Sequence, residues 1–280
     1  MRPEMRRDDM TARLAIFPLI SAAWGGALAA LKPAALWLIL FAVAGGLYTA
    51  ALRSETGFWM PVGAAILAFL AGTELSRRIY RALMPGAKAP FLPLAHANLS
   101  AYAAFVFIGF FVIFFLMMLP GILMQEAGQY QLDKDTDPAV AQEAFMSMLA
   151  TPYGAVFMLC CGVGAALLGW IALRLTLYGA ATSARGEAHV FRTWGLTKGH
   201  LKALLPASLA THILPFALGV AINSALHRAL PDTPLGHFIG GAAGVIVFAP
   251  FLLAGHGMAA AAWEKLKPAE PAAPPPSSGD

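Results

Sequence analysis

The stretch FVFIGFFVIFFLMMLPGILM, residues 105–124, holds twenty residues without a single charged side chain. About 18 consecutive apolar residues are enough for an α-helix to cross the ~30 Å hydrocarbon core of a bilayer. Five further stretches of the 280-residue chain meet this criterion, and only 12% of its residues are charged. The core of a water-soluble protein of this length does not accommodate six such segments. The sequence therefore predicts an all-α, polytopic membrane helix bundle.

The six predicted spans belong to one transmembrane domain, residues 14–265. A charged segment (1–13) precedes it, and a Pro-, Ala- and Ser-rich tail (266–280) with the composition of a disordered region follows it. At 1.5 Å per residue, each span is long enough to cover the hydrocarbon core. The predicted bounds are 33–52, 57–80, 99–124, 153–178, 203–226 and 238–263.

The distribution of Lys and Arg predicts the orientation of the chain. If both termini are cytosolic, sixteen of the nineteen Lys and Arg residues lie at the cytosolic ends of spans, and only Arg53, Lys134 and Arg228 lie on the other side. Cytosolic loops of membrane proteins carry an excess of these residues. We therefore predict that both termini are cytosolic and that the acidic loop around Asp133 and Asp137 faces outward.

Two short sequence segments, located directly before spans one and five, are similar to each other. WGGALAALK (24–32) and WGLTKGHLK (194–202) share Trp-Gly and then Leu-Lys at the same spacing. FLPLAHANLSAYAAF (91–105) occupies the equivalent place before span three. We expect amphipathic surface helices before spans one, three and five. The echoes also favour, as a hypothesis, three parallel repeats, each made of a surface helix and a hairpin of two spans.

The second phrase places an indole and two ammonium groups next to a span. Trp194 is predicted at the level of the lipid headgroups, where Trp side chains are favoured. Lys198 and Lys202 would face anionic lipid phosphates, a contact worth about 1 kcal/mol each. The G-x-x-x-x-G-K-[ST] pattern of a phosphate-binding loop is missing here. The predicted headgroup contacts are Arg77, Arg81, Arg192, Trp194, Lys198 and Lys202.

Ionisable side chains inside spans are costly and are therefore functional candidates. Glu74, Arg174, His212 and His256 come from four spans and are predicted at a similar depth, with Arg78 four residues after Glu74. In the structural interpretation, which we favour, Glu74 pairs with Arg174 or Arg78, and the histidines bond to backbone carbonyls. In the functional interpretation, the same side chains line a cytosol-facing cavity that binds an anionic headgroup or relays protons.

Sequence signals of catalysis, metal binding and nucleic-acid binding are missing. The histidines form no H-x-x-x-H or H-E-x-x-H pattern, and the adjacent Cys160 and Cys161 have no suitably spaced ligand partners. No G-x-S-x-G elbow occurs. The net charge of +4 comes from basic residues beside apolar spans, not from a basic patch interleaved with aromatic residues. We predict no metal site, no cofactor and no nucleic-acid partner.

The phrase LRLTLYGAATSARGEAHVFRTWGLTKG (173–199) resembles bacterial inner-membrane proteins of the YciC-like group and the membrane domain attached to some glycerophosphoryl diester phosphodiesterases. The shared features are Arg174-Leu175, the small residues 180–181, Glu187 and the run 194–199. The resemblance implies a six-helix protein of the bacterial inner membrane. It does not imply phosphodiesterase activity, because in those enzymes a separate barrel of about 250 residues is catalytic.

Three functional hypotheses follow from the sequence. The first is a non-enzymatic protein with an envelope- or lipid-associated role, which binds lipid headgroups, chiefly anionic ones, or partner proteins. The alternative is a small-molecule or lipid transporter with a polar cavity in the inner leaflet. A membrane-embedded enzyme is a third and weaker hypothesis, since no nucleophile–base pair is visible. Other membrane proteins or further copies of the chain are candidate partners.

Overall fold

The computed structural model describes residues 14–54, 57–128 and 137–268, and the regular elements among them are all helical. The predicted segment 1–13, the tail beyond residue 268, and Asp133 and Lys134 lie outside the described residues. The helices are α1 (Ile16–Arg53), α2 (Trp59–Leu83), α3 (Phe91–Glu126), α4 (Pro138–Leu149), α5 (Pro152–Leu175), α6 (Tyr178–Arg185), α7 (Leu201–Ser208), α8 (Leu214–Ala229), α9 (Pro234–Val247) and α10 (Ala249–Leu266).

Six helical stretches are long and apolar enough to cross a membrane. This confirms the predicted fold class, an all-α polytopic helix bundle. The stretches are Ile16–Arg53, Trp59–Leu83, Phe91–Glu126, Pro152–Arg185, Leu201–Ala229 and Pro234–Leu266.

The starts of the first and third spans differ from the prediction. The surface helix predicted before span one continues into the span as a single 38-residue helix, α1, with Pro33 inside it. Residues 91–98, predicted to begin a separate surface helix, are likewise the first turns of α3. At 1.5 Å per residue α1 is about 57 Å long. Its alanine face (Ala23, Ala27, Ala30 and Ala34) is buried on both sides of Pro33, so the same packed face continues across the predicted boundary.

The region predicted as one transmembrane domain comprises two compact units. Unit 1 contains the chain up to Asn98 and from Thr176 onward, and its helices pack through small residues. A Cβ atom on Gly46 would lie 2.7 Å from the carbonyl oxygen of Phe238, and one on Gly26 would lie 3.1 Å from Leu83 Cδ2. Such contacts allow close helix packing in a bilayer, where apolar side chains gain little by leaving lipid.

The contacts of α1 define two ends of unit 1. Residues near the start of α1 pack against Leu83 at the end of α2 and against Gly257 in α10. We call the end where α1 begins and α2 and α10 finish the near end. The opposite end, where α1 finishes at Arg53 and α9 begins at Pro234, is the far end.

Prolines interrupt the last two spans of unit 1. Between α7 and α8, residues Leu209–Ile213 form a π-helical turn that leads into Pro215. Between α9 and α10 the break lies at Phe248, two residues before Pro250. Proline has no N–H to donate to the carbonyl four residues earlier, and its ring crowds that carbonyl. The regular α-helical hydrogen bonding is therefore interrupted at these points.

Unit 2 contains residues Leu99–Leu175, the larger part of α3 together with α4 and α5. Gly164 in α5 packs against Val112 and Leu116 of α3. A small apolar cluster forms around Leu123, Met124 and Met148, with the Phe145 and Phe157 rings packed beside it. The buried side chains of this cluster are apolar.

Candidate functional site

An acid–base cluster lies on one face of α2. Glu74 is 5% exposed, and its two carboxylate oxygens accept hydrogen bonds of 3.0 and 2.7 Å from Arg77 Nη1. Arg78 Nε donates to the same carboxylate at 2.8 Å. Residues three and four apart on a helix share a face, so the sequence spacing creates this arrangement. Arg78 is one of the two partners predicted for Glu74. Arg77 was predicted as a headgroup contact, and it also pairs with the Glu74 carboxylate.

Arg77 also connects α2 to the chain that follows it. Its Nε donates to the carbonyl oxygen of Ala89 at 2.9 Å. The Ala89 N–H in turn donates to the Ser183 carbonyl in α6 at 2.8 Å. Ala89 has a φ of +36°, a conformation that is uncommon for a residue other than glycine. The guanidinium therefore holds a strained loop between α2 and α3.

A second set of polar side chains joins α2, α3 and α6. Tyr178 Oη donates to Asn98 Oδ1 at 2.9 Å, and Asn98 Nδ2 lies 3.4 Å from Thr73 Oγ1. Thr73 and Asn98 are buried. Buried polar groups of this kind are retained only when their hydrogen bonds are satisfied.

His256 on α10 bonds to its own helix and to α2. Its Nδ1 lies 2.7 Å from the carbonyl oxygen of Leu252, and its Nε2 lies 2.9 Å from Ser76 Oγ. A carbonyl can only accept, so Nδ1 carries the proton, and in the neutral ring Nε2 accepts from the Ser76 hydroxyl. The Tyr80 ring packs beside the imidazole, with centroids 5.0 Å apart.

His212 lies in the π-helical turn of span five. The Thr211 hydroxyl donates to the Ala207 carbonyl at 2.8 Å, which leaves its oxygen free to accept from His212 Nδ1 at 2.9 Å. The other ring nitrogen, Nε2, faces Gly255 in α10, where a Cβ atom would lie 2.8 Å away. His212 therefore packs beside the residue that precedes His256.

The predicted intramembrane residues divide between the two units. Glu74, Arg78, His212 and His256 belong to unit 1, where each makes the contacts described above. Arg174 belongs to unit 2, where its guanidinium lies 5.5 Å from the centroid of the Trp170 ring.

The segment between α6 and α7 is folded as turns, in place of the surface helix predicted before span five. A 3-10 helix covers Phe191–Thr193, and the Thr193 and Thr197 hydroxyls donate to carbonyls three residues earlier, at 2.8 and 3.1 Å. Threonine side chains that bond locally to the backbone compete with helix formation. Gly199, with a φ of +88°, then adopts a conformation that few other residues take.

This segment buries its threonines and exposes cations and aromatic rings. Phe191 is 60% exposed and Trp194 is half-buried. Arg81, Lys198 and Lys202 are exposed, and the ion pairs found among the described residues include none of the three. Arg192 lies 3.7 Å from Glu187 Oε1. Four of the six predicted headgroup contacts are thus exposed cations.

Two cavities lie at the ends of unit 1. The near-end cavity, about 580 Å³, lies between the ends of α2, α6 and α10, and the Arg185 guanidinium there lies 5.6 Å from the Trp263 ring centroid. The far-end cavity, about 440 Å³, contains Arg53, His227 and His237, which the sequence analysis did not select. Arg53 is one of the three Lys and Arg residues that the predicted topology places on the side away from the cytosol. That exception was the sequence signal that could have pointed to this cavity.

Comparisons of the chain with protein families, curated proteins and solved structures found no match. The similarity of residues 173–199 to the YciC-like group stays a prediction from those residues alone. Among the described residues, no group of three or more His, Cys, Asp or Glu side chains is arranged to hold a metal ion.

Proposed function

We propose that this chain is a non-enzymatic protein of the bacterial inner membrane that binds anionic lipid headgroups at its cytosolic face. The observation that carries the proposal is the exposed, cationic segment at the near end of unit 1. Lys198 and Lys202 lie there beside Phe191 and Trp194, without carboxylate partners among the described residues.

Electrostatics and interfacial packing both favour this assignment. A cationic side chain near an anionic leaflet contributes about 1 kcal/mol, and the contributions of several such side chains add. Aromatic side chains such as Trp194 are favoured where hydrocarbon meets headgroups. The near end also carries Arg81 and Lys265, which are exposed as well. The positive-inside rule then assigns this end to the cytosol.

The near-end cavity gives a headgroup a place to bind. Its lining combines apolar Met84 and Trp263 with the cation Arg185, and with Lys267, whose Nζ lies 2.6 Å from Glu264 Oε2 in the same lining. A cavity of about 580 Å³ is within the 300–1,000 Å³ range that is typical of ligand pockets. An apolar wall beside cationic groups suits the glycerophosphate region of a lipid.

Native mass spectrometry of the purified protein tests the proposal. Lys198→Ala combined with Lys202→Ala should remove most phosphatidylglycerol adducts and leave phosphatidylcholine adducts unchanged. Lys88→Ala combined with Lys265→Ala is the matched control, since it removes the same charge from exposed positions at the same end that do not line the cavity. Equal adduct loss in both double variants would show a nonspecific charge effect, and unchanged adducts in the first would reject the proposal.

A further inference from the structure

Three helices surround the polar cavity at the far end of unit 1. The end of α1 contributes Thr49 and Arg53, the end of α8 contributes His227, and the start of α9 contributes His237. The cavity volume is about 440 Å³, large enough for a small ligand. None of its lining residues belongs to the near-end segment discussed above, so the two sites can be tested separately.

Two adjacent glycines in α9, Gly240 and Gly241, allow two side chains of the cavity lining to pack closely against this helix. A Cβ atom on Gly240 would lie 2.8 Å from Cε1 of His227. A Cβ atom on Gly241 would overlap Thr49 Oγ1 and approach the carbonyl oxygen of Gly45. Larger residues at these two positions would displace His227 and Thr49. The glycine pair therefore lets polar side chains from α1 and α8 approach α9 and face the same space.

The charged groups of the cavity favour an anion. Arg53 is permanently protonated and presents several N–H donors in a planar fork. The one carboxylate in the lining, Asp232, lies 3.0 Å from His237 Nε2 and is therefore already engaged by an imidazole. The Thr49 hydroxyl donates to the Gly45 carbonyl at 3.0 Å, so it forms part of the wall.

The same cavity also has an apolar side, made by Leu52, Leu230 and Pro231. The Arg53 fork can pair with two oxygens of either a carboxylate or a phosphate, and a phosphate group has a third oxygen for the His227 imidazole. Arginine binds phosphate through two parallel hydrogen bonds. An apolar wall beside these donors accommodates the carbon atoms of a phosphate ester.

We propose that the far-end cavity binds a phosphate group, with Arg53 as its charged contact and His227 as an additional donor. The group comes either from inorganic phosphate or from the phosphodiester of a lipid in the leaflet at this end. Both sources present the same oxyanion to the same side chains. The cavity lies at the ends of three membrane-length helices, the level at which lipid phosphates are found.

Calorimetric titration of the full-length protein with inorganic phosphate tests the first source. Native mass spectrometry from nanodiscs of phosphatidylglycerol and phosphatidylcholine tests the second. Arg53→Gln should weaken phosphate binding about tenfold, as expected for the loss of a charge-assisted hydrogen-bond pair. Arg228→Gln is the matched control, because it removes an exposed arginine next to His227 that does not line the cavity.

A tenfold loss for inorganic phosphate in Arg53→Gln identifies the free anion, and a loss of retained lipid alone identifies the headgroup. Equal binding of both probes by Arg53→Gln and Arg228→Gln would overturn the proposal. If Arg53→Gln does not fold, His227→Ala replaces it, with an expected loss of about fivefold for one neutral hydrogen bond and the same contrary result. The Lys198 and Lys202 variants should leave binding at this cavity unchanged.

Discussion

The two units of the chain have similarly apolar sequences but bury different side chains. All eleven buried polar or charged residues of the described chain belong to unit 1. They are Thr73, Glu74, Ser76, Asn98, Thr182, Ser183, His189, Thr193, Thr197, Ser208 and Thr211. In the described part of unit 2, the buried residues are apolar or glycine. Buried polar side chains thus join the helices of unit 1, whereas the buried side chains in the described part of unit 2 pack through apolar contacts.

The difference is greatest between α1 and α3. In their most hydropathic windows, 33% of residues are buried in α1 and 11% in α3. The outer surface of α3 exposes Phe107, Phe110, Phe114 and Phe115. In a bilayer such rings face lipid tails at little cost, and they give little force for helix association. Unit 1 is thus the part of the molecule in which single side-chain changes should matter most.

The largest expected effect on stability comes from removing the buried carboxylate of unit 1, Glu74. Glu74→Ala should lower the free energy of unfolding by about 3 kcal/mol, since removing one partner of a buried ion pair leaves the others uncompensated. We place it at the lower end of the usual range because Arg77 and Arg78 are 22% and 44% exposed. Unfolding by SDS titration in mixed micelles measures the change.

The matched variant in unit 2 is Glu143→Ala, at an exposed position in α4. Its effect should remain within about 0.5 kcal/mol, as for most surface substitutions. Equal losses in the two variants would contradict the contrast between the units.

The overall fold could be predicted from the sequence because hydropathy decides it. A run such as residues 105–124 has few alternatives to a membrane-length helix, and six such helices are present. The prediction of surface helices was less accurate. Span one was predicted to begin at residue 33 after a separate surface helix, but α1 and its buried alanine face continue through Pro33. Local signals of this kind do not reveal which partner helices a segment will contact.

The polar contacts of the site were only partly predictable. The spacing of Glu74 and Arg78 indicates an i,i+4 pair, and the structure contains it. The bond between His256 and Ser76 links residues 180 positions apart, which no local pattern encodes. The far-end cavity depends on how α1, α8 and α9 pack around Gly240 and Gly241, and sequence spacing does not determine that packing.

A glycine in each unit gives the next largest effect. Gly46→Ala should lower the free energy of unfolding by about 2 kcal/mol, since its methyl group would meet the Phe238 carbonyl at 2.7 Å and overpack the contact. Gly162→Ala in α5 has open space around the added methyl and should instead raise that free energy by about 0.5 kcal/mol through helix propensity. The same SDS titration measures both. Opposite signs support the contrast, and equal signs contradict it.

The last prediction, for which the smallest effect is expected, concerns how fast a charged thiol reagent reaches the polar contacts of unit 1. In a Cys160→Ala, Cys161→Ala background, cysteine placed at His256 should resist a charged thiol reagent added from either side, because that position packs against Tyr80 and Ser76. Cysteine at Lys198 should react within minutes, since this side chain is exposed. Rapid labelling at position 256 would favour the transporter hypothesis, in which the predicted intramembrane polar side chains line a water-filled route. Protection at position 256 together with labelling at position 198 would support a structural role for the hydrogen bonds of unit 1. Headgroup binding would then be assigned to the exposed cations.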